Sequence, residues 1–205
     1  INTSQMWVRL RTTSAGATTN NSVNQWDFIM ASISWVEPTI TVSGVVYKAD
    51  ETTTATNGNG GSCDGSTANL SLSVNGGTAV TTSCSSSTGA FTFSNVSAVS
   101  GDTITIFSTA TDKANTVYIS DGTNDTGINL YYDTVALGHQ TAGPVRVLDI
   151  LDYDNDQSST NMLFDAEDSS PDTLVVENGV ELHIETGMTF TPGGTVTTDP
   201  SGSSS

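Results

Sequence analysis

The sequence predicts an all-β fold, a seven-stranded β-sandwich followed by a second, smaller β-rich module. Three observations carry that prediction. Apolar and polar residues alternate at period two in short runs that recur about every ten residues. Clusters of Gly, Asn, Ser and Thr separate the runs, as turns between strands require. The apolar spacing of 3.6 that marks an amphipathic helix is almost nowhere sustained.

Residues 1–38 form an N-terminal segment with two strands. In 5–12, Met6, Val8 and Leu10 alternate with Trp7, Arg9 and Arg11, giving one apolar face. A polar interval, 13–24, has no strand signal, and 25–36 (QWDFIMASISWV) is a more hydrophobic strand that Pro38 ends. Two strands are too few for an independent sheet and must pack on something else. Residues 39–132 are the sandwich: ITVSGVVYKAD, a loop over 52–67, then ANLSLSVNGG, TAVTTSC, GAFTFSNV, DTITIFS, NTVYISDG and GINLYY. Its expected core is Leu70, Leu72, Val74, Phe91, Phe93, Ile104, Ile106, Val117, Ile119, Ile128 and Leu130. Residues 133–198 are the second module. There 145–151 (VRVLDIL) reads as a strand, 152–172 as an acidic loop, and 173–198 as a short β-meander or one to two coils of a β-solenoid. The tail, 199–205, has the composition of a flexible linker.

Composition narrows the function. Acidic side chains number 22 against 5 basic ones, a formal net charge of −17, so nothing here neutralises a row of phosphates and nucleic-acid binding is excluded. With no apolar run near 18 residues, no membrane span is expected and the chain reads as a globular protein. It begins at Ile1 without a signal-peptide pattern, which reads as a processed product or a fragment. Cys63 and Cys84 lie among Gly, Ser and Asn, with no basic neighbour to activate a thiol. The expectation is a structural disulfide closing a loop of about twenty residues and contributing about 3 kcal/mol; the alternative is two unpaired thiols. A disulfide implies an oxidising, extracellular or cell-surface location.

Several motifs in 40–131 point to a family. They are Ile40, Val42, Gly44, Val45 and Tyr47; the turn and strand from Ser87 through Gly89 to Phe91 and Phe93, followed by Asn95 and Val96; and 101–106 (GDTITI). With these residues the segment resembles the transthyretin-like, carboxypeptidase-regulatory or CnaB-type sandwiches of large repetitive bacterial surface proteins. The resemblance implies an Ig-like, prealbumin-like sandwich and a role in stalks, adhesins or filaments rather than in catalysis. Members of the CnaB-like group often carry a Lys to Asn or Asp isopeptide bond. Only Lys48 and Lys113 offer the amine here, and Lys48 reads as a solvated edge lysine.

No catalytic constellation stands out. His139 sits in a Gly-flanked loop and His183 on an alternating strand, with no GxSxG elbow or HExxH pair nearby, so the chain reads as a non-enzyme with no cofactor, calcium excepted. Asp149, Asp152, Asp154 and Asp156 are the candidate calcium ligands, because carboxylates at alternate positions converge when a loop curls around a hard cation. The EF-hand pattern is broken by Gln157 and Leu163, and a solvated acidic loop is the competing reading. N-glycosylation sequons occur at Asn2, Asn20, Asn69, Asn95 and Asn124.

The N-terminal strands suggest assembly. Met6, Val8 and Leu10, or Trp26, Phe28 and Ile33, are the anchors expected of a strand that completes a neighbour's sheet by β-strand addition. Repeated head to tail, such a contact makes a homopolymeric filament. The competing reading packs both strands on 145–198 of the same subunit. The leading expectation is therefore a structural subunit of an extracellular filament or surface appendage. The runner-up is an adhesin or glycan-binding module of a larger surface protein, which exposed Trp or Tyr on one flat face would favour; Trp7, Trp26 and Trp35 all lie in the N-terminal strands that the filament reading uses for pairing.

Overall fold

The structure, a computed structural model, describes residues 37–141, 143–151, 160–168 and 170–199. Met6, Val8, Leu10, Trp26, Phe28 and Ile33, the sequons at Asn2 and Asn20, and Asp152, Asp154 and Asp156 lie outside the described residues. Within them the chain is nearly all β. The strands of the first half are β1 (Thr39–Tyr47), β2 (Leu70–Val74), β3 (Val80–Thr82), β4 (Ala90–Ser97), β5 (Ser100–Ser108), β6 (Asn115–Asp121), β7 (Asp125–Thr126) and β8 (Leu130–Tyr131). There follow β9 (Thr134–His139), β10 (Pro144–Val145), a single turn of helix α1 (Val147–Ile150), β11 (Phe164–Glu167), β12 (Thr173–Glu177), β13 (Glu181–Ile184), β14 (Thr189–Phe190) and β15 (Thr195–Asp199).

The alternation of β1, with Ile40, Val42 and Val46 turned inward, makes it the centre of one sheet. It pairs antiparallel with β4 and parallel with β7 and β8. Two glycines permit this packing. A Cβ on Gly44 would lie 1.7 Å from the Ile128 carbonyl oxygen, so only glycine lets the segment before β8 cross β1. Gly89 turns the chain into β4 at φ +71°, and a Cβ there would lie 2.8 Å from the Val46 carbonyl oxygen. The other large sheet has the order β13-β9-β6-β5-β2-β3, antiparallel from β3 to β6 and parallel from β6 through β9 to β13.

This six-stranded sheet is covered on both faces. Leu70, Leu72, Ile104, Ile106 and Tyr118 face Val42, Val46, Phe91 and Phe93 in one core. Phe107, Val117, Val135 and Leu137 face the opposite way, into a second core with Val145, Val147, Ile150, Phe164, Leu174 and Val176. Each such fully buried aliphatic or aromatic side chain contributes about 1.5–3 kcal/mol. The second core is closed by α1 and by the sheet β11-β12-β15. The Thr103 hydroxyl ties α1 down, donating to the Asp149 carbonyl at 2.7 Å.

Several details depart from the sequence reading. Val117 belongs to the second core and its neighbour Tyr118 to the first, because strand alternation sends them to opposite faces. Strand pairing crosses the expected boundary at 132/133, since β9 and β13 complete the sheet that β2, β3, β5 and β6 begin. Residues 145–151 are not a strand: beyond β10 the chain makes α1, where the Asp149 carboxylate accepts the Arg146 backbone N–H at 2.9 Å. Strands β12 to β15 do not form a meander. They pair in parallel with partners distant in sequence: β12 with β15, β13 with β9, and β14 with β10.

Candidate functional site

The parallel pairing of β13 with β9 puts Glu181 and His183 on one face of an end strand, and the ladder continues as the Glu185 N–H donates to the Leu137 carbonyl at 3.0 Å. Against this face lies the turn after β1. There Asp50 accepts from the Thr52 and Thr53 N–H groups and from the Thr53 hydroxyl, contacts that hold its carboxyl down at about 2. Glu51 adopts a left-handed φ of 56°, and its Oε1 lies 3.0 Å from His183 Nδ1. Tyr131 stacks on Tyr47 with centroids 5.6 Å apart and meets the His183 ring at 5.3 Å. Ligand atoms of Glu51, Glu181 and His183 all fall within 4.8 Å of one another, a donor set compatible with a divalent ion. The tyrosines and Glu51 carry no sequence motif. The one signal available was the period-two run Glu181, His183, Glu185.

Beyond Glu185 the same edge opens into a cavity of about 180 Å³ between β6, β9 and the segment around β7. Tyr118, Asp125, Gly138, His139, Glu185 and Met188 are among its walls. Gly138 sits where a Cβ would come 3.3 Å from Glu185 Cγ and 3.7 Å from Tyr118 Cβ, so its missing side chain leaves the floor open. Tyr118 is 1% exposed, and neither its hydroxyl nor Asp125 Oδ2, both buried, has a hydrogen-bond partner. Burial, reinforced by the Asp121 charge, pushes the Asp125 carboxyl above its ordinary range, against a backbone hydrogen bond from Thr126. Burial also raises Glu185; His183 counteracts and Glu51 adds to the rise. The Tyr118 phenol is raised by burial and by the nearby Asp125 charge. His139 is turned to its own loop, its Nδ1 accepting the Thr141 N–H at 3.2 Å.

The residues singled out in the sequence are placed as follows. Cys63 and Cys84 form a disulfide, both at most 1% exposed, tying the loop after β1 to the strand residues before β4. Asp149, the one candidate calcium ligand among the described residues, is paired with Arg146, whose Nε and Nη2 donate to its two oxygens at 3.1 and 2.8 Å. Asn69 is buried, and its amide donates to the Ser62 carbonyl at 2.7 Å, so this sequon is closed in the folded protein. Asn95 is exposed in left-handed conformation at a β-bulge in β4, so this sequon is open in the folded protein. Asn124 is exposed, its oxygen accepting the Thr41 N–H at 2.8 Å. Lys48 Nζ donates to the Asn59 carbonyl and Lys113 Nζ to Asn161 Oδ1, while burial lowers the Lys113 pKa. No family model, curated protein or solved structure matches this chain.

Proposed function

We propose that the chain is a non-enzymatic structural subunit of an extracellular filament or cell-surface appendage, joined to its neighbours by β-strand addition. The observation that carries this reading is the end strand β15. It pairs with β12 on one side, and no further strand joins it among the described residues. Thr195, Val196, Thr197 and Thr198 are all exposed, with Val196 at 41%. Such a β-branched end strand is a template for another chain. Its occupant in this reading is the 5–12 strand of a second copy, with Met6, Val8 and Leu10 as anchors. The buried disulfide supports an oxidising compartment. The likeness to transthyretin-like and CnaB-type surface sandwiches is part of the same proposal.

The test compares the full chain, a chain lacking 1–38 and the variant Val196→Lys by electron microscopy and by gel mobility before and after boiling in detergent. The full chain should give long, detergent-resistant fibres and the deletion none. Val196→Lys places a charge on the exposed strand and should suppress fibres while leaving the melting temperature within about 1 °C. Monomeric full-length protein at high concentration refutes the reading. The glycan-binding alternative then takes its place.

A further inference from the structure

Independently of assembly, we propose that the cavity walled by Tyr118, Asp125 and Glu185 is a binding site for a small organic cation bearing a primary ammonium group. The argument starts from two unpaired atoms. A buried acceptor or donor left without a partner costs about 1–3 kcal/mol, so native proteins rarely leave two beside one cavity unless something fills it. Here they are the Tyr118 hydroxyl and Asp125 Oδ2. Both accept hydrogen bonds, and an ammonium group carries three donors.

Charge selects the same ligand. The walls carry two carboxylates, Asp125 and Glu185, and include neither Lys nor Arg. Asp121 and Glu51 add further negative charge behind them. A positive charge inside would compensate Asp125, whose charged neighbour is Asp121, and add to the His183 ring that already favours the charged form of Glu185; His139 is the one basic side chain in the walls.

Size shows that the cavity takes more than a single water: one occupies roughly 10–15 Å³ by this kind of measure, whereas the cavity offers about 180 Å³, room for a small organic ligand in place of several waters. A bare calcium ion wants about six to eight oxygen ligands. Here Gln140 Oε1 already accepts the Asp121 N–H at 2.9 Å, so a calcium ion would depend on two carboxylates and neutral hydroxyls for the rest. Ile128, Met188 and the bare backbone of Gly127 and Gly138 form apolar wall suited to an alkyl stem. The ammonium head would meet Tyr118 and Asp125, with Glu185 supplying the second charge.

The experiment titrates the isotope-labelled full chain with n-butylammonium, following backbone amide resonances, and repeats the titration with n-butanol, its neutral isostere, and with calcium chloride. Saturable shifts of Gly127, Gly138 and Thr186 are expected with n-butylammonium alone. Asp125→Asn should weaken them about tenfold and Glu185→Gln about threefold, because each removes one charge of a pair that is only partly screened. Tyr118→Phe keeps the ring and should weaken binding about threefold through one lost hydrogen bond. Thermal melts of each variant establish that it is folded; if one is not, the other two decide. Equal shifts with n-butanol, unchanged binding in the folded charge variants, tighter binding of calcium to the same amides, or no shift up to about 50 mM ammonium each overturn the proposal.

Discussion

Removing the disulfide by replacing both Cys63 and Cys84 with Ala tests how the first core is held. The bond closes a sequence separation of 21 residues. In the chain-entropy model a loop of that size removes about 11 cal/mol/K from the unfolded ensemble, or about 3 kcal/mol at 25 °C. Both sulfurs are buried in the first core, so the double variant also leaves a small void, adding roughly 1 kcal/mol. For a domain of this size each kcal/mol moves the melting temperature by about 2–4 °C, so the expected loss is about 8–16 °C. The assay is thermal unfolding by circular dichroism of wild type, wild type with reductant, and the double Ala variant. The reduced wild type should fall about 6–12 °C, because its sulfurs still fill the core. A loss below about 2 °C in both would mean that the loop is already ordered in the unfolded chain, and would refute the entropic argument.

Three further outcomes follow from the geometry. Asp125→Asn should raise stability at pH 7, since the wild-type carboxyl is raised in the folded state and its ionisation there opposes folding. That opposition is absent below the unfolded-state value and complete above the folded one, so the gain should vanish near pH 3; an equal gain at both pH values contradicts the assignment. Gly44→Ala drives a Cβ into the Ile128 carbonyl and should cost at least about 3 kcal/mol, read by denaturant unfolding. Produced in a glycosylating host, the protein should carry glycan at Asn95 or Asn124 but not at Asn69, and a glycopeptide at Asn69 from native protein would overturn its assigned burial.

The strands were legible where polarity alternates. β1 and β4 bury one face, and β2 and β5, buried on both, still alternate apolar residues with Ser or Thr, so the period-two pattern gives the element in all four. β6 is buried on both faces, so Val117 and Tyr118 carry no contrast in polarity, and the existence of a second core was hidden there. The run VRVLDIL is equally apolar as strand or helix, and the choice falls to a cap made by Asp149, a residue whose place in an acidic run makes it only a candidate cation ligand in the sequence. Parallel pairing is a relation between distant segments that no local spacing records. Hence neither Glu51 opposite His183 nor Asp125 beside Tyr118 was visible, although all four side chains were in plain view. The disulfide needed only composition and spacing.

The parallel ladders also govern when the molecule can finish folding. Thr134 lies opposite Glu181, Val42 opposite Asp125, and Thr173 opposite Thr195, so the stabilising contacts join stretches that leave the ribosome far apart in time. Chains dominated by such non-local pairings close slowly, on the order of milliseconds to seconds. The central sheet has no end strand until β13 has emerged, near the close of the described chain. For a protein exported as proposed, that delay is an advantage: the polypeptide stays threadable during transit and the sheet locks only after β13 has crossed.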